Sequence, residues 1–115
     1  MLKNKMQLLI DILLDKTARE DERSDAAIDL RMYKDERALE ALAKVASDPN
    51  EDDLIVDNCA ESIGEISVEM NYFNEKSFRK MTAFAQKIVF GSIKSRKPEI
   101  INYELMNELD KKFGF

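Results

Sequence analysis

The chain has 115 residues, 44% of them hydrophobic and 8% aromatic, with 3 Gly, 2 Pro and a formal net charge of −5. That length suits one packed unit, and so few turn-formers and aromatics argue against a sandwich or barrel. Histidine is absent and there is one cysteine, Cys59. The commonest general base and metal ligand are therefore missing, an internal disulfide is impossible, and a reducing, cytoplasmic setting is expected. No apolar run approaches the roughly 20 residues of a membrane span. The basic start Lys3-Asn4-Lys5 is followed by Asp11 and Asp15 rather than by an uninterrupted signal-peptide core.

Apolar residues recur at helical spacing along most of the chain. Met6, Leu9, Ile10, Leu13 and Leu14 predict a first helix over residues 3–16. A second covers 21–33, with Ala26, Ala27, Leu30 and Tyr33 inward. Asp35 is a good N-cap for a third, which presents Ala38, Leu39, Leu42, Val45 and Ala46 and ends at Ser47-Asp48-Pro49-Asn50, where the proline disfavours helix before it. A fourth runs over 51–66, with Leu54, Ile55, Cys59, Ile63 and Ile66 as its apolar stripe. After a loop at 71–74, a fifth starts at Glu75 and carries Phe78, Met81, Phe84, Ala85, Ile88 and Val89, with Gly91 ending or bending it. The break Ser95-Arg96-Lys97-Pro98 leads to a sixth over 99–113. Cys59 reads as core, and no histidine could activate it as a nucleophile.

Charge is segregated. Residues 1–19 carry four basic and two acidic side chains, residues 20–75 five and 17, and residues 76–115 nine and four. The acidic middle repels phosphates and attracts a basic protein. Its sharpest feature is the fourth helix, where Asp53, Asp57, Glu61, Glu65 and Glu69 recur every four residues and Glu51 and Asp52 add charge at the start. Four-residue steps share one face, and like charges so placed cost about 0.2–0.5 kcal/mol each in helix stability. Either they form a solvated face or they are a strip for Lys and Arg of a partner. No basic residue lies between 45 and 75 to compensate them, which favours the strip. Five carboxylates along one helix do not converge on a metal, and no EF-hand spacing is present. On the second helix Asp21, Asp25 and Asp29 have Arg23 and Arg31 close by and read as locally paired. The basic stretch Lys76–Lys97 reads as a solvated helix face, since it lacks interleaved stacking aromatics. Tyr72 and Phe73, adjacent aromatics expected beside the strip, would make a binding hot spot.

Ala26-Ala27-Ile28-Asp29-Leu30 matches Cys59-Ala60-Glu61-Ser62-Ile63 at an offset of 33 residues, small on small and large on large. Together with Asp35-Glu36-Arg37-Ala38-Leu39-Glu40-Ala41-Leu42, Asp48-Pro49-Asn50 and Gly64-Glu65-Ile66, this resembles the HEAT-like repeats of phycobilisome-lyase-type proteins. The resemblance covers residues 21–67 and places Asp57 where such repeats often carry Arg. It implies an all-α, short right-handed stack of antiparallel helical hairpins, about six helices in one domain over residues 1–115, with divergent C-terminal helices over 75–113.

Size, acidity and the lack of catalytic groups are similar to those of small cytoplasmic immunity proteins that bacteria pair with toxins, as in contact-dependent growth inhibition. The expectation is a non-enzymatic protein-binding module needing no cofactor or metal, touching neither nucleic acid nor membrane directly. It would neutralise a basic toxin, a nuclease, through Asp52, Asp53, Asp57, Glu61, Glu65, Glu69, Tyr72 and Phe73. The alternative is a regulatory or scaffold HEAT-repeat subunit; a chromophore lyase fits less well without a histidine.

Overall fold

The computed structural model describes residues 4–114, which form seven α-helices and two short 3-10 turns with no strand among them. The expected all-α class holds. The helices are α1 (Lys5–Leu14), α2 (Glu20–Asp29), α3 (Glu36–Ala46), α4 (Asp53–Met70), α5 (Glu75–Lys80), α6 (Ala83–Arg96) and α7 (Tyr103–Phe113). Most starts carry the side-chain cap that frees no backbone donor: Asn4, Asp35, Asp52, Asn74, Thr82 and Asn102 each accept from an amide of the first turn.

The differences from the periodicity are local. The helix expected from Glu75 onward is broken at Met81-Thr82 into α5 and α6, which raises six helices to seven. Thr82 is extended and its Oγ1 accepts from the Ala85 amide at 3.2 Å, a start signal hidden inside a continuous apolar pattern. The buried Gln86 holds the break by donating from Nε2 to the Phe78 carbonyl at 3.0 Å. Gly91 neither ends nor starts an element and lies inside α6. α4 runs four residues beyond Ile66 and stops at Asn71, whose left-handed φ of 54° ends a helix as only Gly and Asn readily do. The last helix begins later than expected, at Tyr103, because residues 98–100 form a 3-10 turn. Thr82→Ala should lower stability by about 1 kcal/mol in urea denaturation, and Thr82→Ser should restore most of it.

α4 is the central helix and packs against α2, α3 and α6, while α1 covers α2 and α3. The α2–α4 seam is closed by small residues: Ala26, Ala27, Cys59 and Ala60 are all buried. Across it the Ser62 hydroxyl donates to the Ala27 carbonyl at 2.7 Å, and Arg31 and Lys34 pair with Glu65 and Glu69. These partners lie 34 or 35 residues apart and advance together, so the two helices run parallel. That spacing is close to the 33-residue offset of the internal match. On the other flank Gly64 of α4 lies against Ser92 of α6. α7 is tied on by Arg79 to Glu108 and Lys94 to Asp110, with Phe90 and Phe113 rings 6.2 Å apart. Arg79 and Lys94 of the basic stretch are thereby engaged internally, while Lys76, Lys80 and Lys87 are exposed as expected of a solvated face. No helix among the described residues is long and apolar enough to cross a membrane.

Candidate functional site: the outer face of α4

Buried on three sides, α4 leaves one stripe outward. Leu54, Asp57, Glu61 and Glu65 follow one another at three- and four-residue steps along it. The structure separates the strip carboxylates into two groups. Asp52 caps the helix, accepting from the Leu54 and Ile55 amides at 2.9 and 3.2 Å. Glu65 and Glu69 are tied to Arg31 at 3.3 Å and Lys34 at 3.5 Å. The compensation that residues 45–75 lack comes instead from the 3-10 turn and loop that follow α2, across the seam. Asp53, Asp57 and Glu61 remain, and among the described residues no cation pairs with them. Asp53 and Glu61 are exposed and Asp57 is half-buried. Leu54, between Asp53 and Asp57, is 61% exposed.

The face can therefore accept several Lys or Arg hydrogen bonds beside an apolar contact. It does so on a helix braced by its neighbours, so little ordering is lost on binding. Asp53 also lies in the first turn, where the helix dipole favours a negative charge.

Local pairing on α2 is corrected. Arg19 takes Asp21 and Glu22, but Arg23 points inward: Nη1 and Nη2 grip both oxygens of Glu51 at 2.9 and 2.8 Å, and Nε donates to the Leu13 carbonyl at 2.9 Å. Its side chain and that of Glu51 are 5% and 6% exposed. Lys16 adds a second cation to Glu51 and bonds Asp48. The hydrogen bonds from Arg23 hold the Glu51 carboxyl below its ordinary value. Glu51 belongs to this clamp and not to the outer face. Asp25 and Asp29 stay exposed without a cation among the described residues.

Tyr72 and Phe73 do not adjoin the strip. Following Asn71, they turn into a small cavity between α3 and α5, where the Phe73 ring lies 5.3 Å from that of Phe78. The α4 wall of that cavity is Ile63 and Ser67, each two residues, or about 200° around the helix, from Glu61 and Glu65. Cys59 is fully buried, and burial pushes its thiol up to about 12, which leaves no thiolate at neutral pH. Among the described residues no group of three or more His, Cys, Asp or Glu is placed to hold a metal ion.

Compared with known proteins, the chain matches no family model, no curated protein and no solved structure at a significant level.

Proposed function

We propose that this chain is a protein-binding module whose outer α4 face docks a basic protein, and that it serves as an immunity protein neutralising a cognate toxin domain, a nuclease with a basic cleft. One observation carries the reading. Of the carboxylates on this helix and at its start, Glu51, Asp52, Glu65 and Glu69 are engaged within the fold, whereas Asp53, Asp57 and Glu61 are left without a cation beside the exposed Leu54. Like charges at four-residue steps work against the helix, so an external cation that relieves them binds with advantage. Such a field also speeds encounter with a basic cleft and rejects acidic competitors.

The HEAT-like resemblance supports the same class, since stacked helical hairpins commonly serve as platforms for other proteins. An enzymatic role is disfavoured because the one thiol is buried and protonated and there is no imidazole. The single cysteine, unable to form an internal disulfide, favours the cytoplasm. A regulatory or scaffold subunit is the second reading, favoured by the separate cavity between α3 and α5.

The test is binding to the product of the adjacent gene, measured as association rate at low and high salt. The triple charge reversal Asp53→Lys, Asp57→Lys, Glu61→Lys should slow association on the order of tenfold or more and flatten its salt dependence, with the fold retained by circular dichroism. Unchanged association in a folded triple variant would sink the proposal. Several clients of weak salt dependence would favour the scaffold.

A further inference from the structure

The cavity between α3 and α5 is a second feature, independent of the acidic face. It has a volume of about 50 Å³ and an apolar floor of Leu39, Phe73, Phe78 and Met81, with Glu36 and Glu40 at its rim. We propose that it is an anchor site for a segment of a protein partner that presents a branched aliphatic side chain beside a lysine or arginine.

Size sets the first half of that chemistry. A dry apolar cavity of about 150 Å³ takes a benzene ring, so one of about 50 Å³ is too small for an aromatic ring and admits the end of a branched aliphatic side chain. The lining is mostly apolar, with Ser67, Tyr72, Asn74 and Ser77 among it, and its apolar floor favours a hydrocarbon.

Charge sets the second half. Glu36 and Glu40 are exposed, one turn apart on α3, and no described cation pairs with either. The groove continues past Asn74 and Ser77 to Lys44 and Lys80, so its potential changes sign along its length and the partner's base belongs at the Glu36 end. Rigidity favours binding: the Tyr72 amide donates to the Ser67 carbonyl at 3.0 Å, and the Phe73–Phe78 contact fixes the wall.

The experiment titrates the full chain with acetyl-Leu-Lys-amide, followed by backbone amide NMR. Saturable shifts are expected at Glu40, Ser77 and Phe78, with acetyl-Leu-Glu-amide and acetyl-Ala-Lys-amide binding at least about threefold more weakly, the scale of an exposed ion pair. Glu36→Lys with Glu40→Lys, both on exposed positions, should erase the preference for lysine over glutamate. Ala43→Leu should fill the cavity and abolish the shifts; should it fail to fold, the charge reversal still decides. Equal binding of the three peptides, shifts elsewhere, or no saturation would overturn the proposal. Tighter binding of 3-methylbutylammonium than of the peptide would overturn the protein-partner assignment. The triple reversal on α4 should titrate as the parent does, so the two sites stand or fall separately.

Discussion

Replacing Arg23 by alanine is expected to cost about 3–5 kcal/mol, the range for removing one partner of a buried ion pair. That is a large part of the stability of a domain this size, at about 0.05–0.15 kcal/mol per residue. The loss has two sources. Glu51, 6% exposed, keeps a charge answered only by Lys16 at 3.7 Å and by the Asp52 amide, which donates to Oε1 at 3.2 Å. The Leu13 carbonyl, one of the C-terminal acceptors that α1 cannot satisfy internally, loses its donor. Arg23→Met with Glu51→Met should cost less than Arg23→Ala, because no charge is then stranded. Guanidinium denaturation of the single and double variants measures both. The pair also predicts acid sensitivity. The folded carboxyl of Glu51 is depressed from 4.5, so its contribution is complete above that unfolded value and is lost as pH falls through the folded one. The stability gap between the parent and Glu51→Gln should thus be widest at neutral pH and close as pH falls below 4.5 and through the depressed folded value. A gap constant with pH would remove Glu51 ionisation from the account.

The second large effect is at Gly64. Glycine inside an 18-residue helix forgoes about 1 kcal/mol relative to alanine, so Gly64→Ala would stabilise an exposed helix. Here a Cβ would meet the Ser92 Oγ at 2.6 Å and its Cβ at 2.8 Å. The hydroxyl can rotate away; the Cβ can move only with α6. Overpacking costs about 1–3 kcal/mol, which outweighs the propensity gain, so a net loss is expected in thermal or urea unfolding. Adding Ser92→Gly removes the obstructing atoms, and the double variant should recover part of that loss. If Gly64→Ala alone raised the midpoint, the close α4–α6 approach would be refuted.

Legibility followed range. Caps and apolar periodicity act over a few residues, and Asp35 caps α3 as its side chain dictates, whereas Asp52 and Asn102 cap helices expected to start earlier, at 51 and 99. The small residues Ala26, Ala27, Cys59 and Ala60 were readable as a seam because close helix approach needs small side chains. Thr82 was not readable as a start, since the apolar pattern continues through it and only the packing of Phe78 and Gln86 makes the break.

The charges show the same division. From composition alone α4 carries an uncompensated row of carboxylates; Arg31 and Lys34 answer two of them only because parallel packing sets a register of 34 or 35 residues. Likewise Arg23 reads as a surface partner for neighbouring aspartates, and only the fold turns it inward to Glu51, 28 residues away. Adjacent aromatics gave no sign of which side of α4 they would take. The all-helical class, the Asp35 cap and the acidic excess were legible in the residues alone, because these are local or additive properties. Which carboxylates stay free, where Tyr72 and Phe73 point and what anchors α2 were decided by tertiary structure, because each depends on register between helices that only close packing sets.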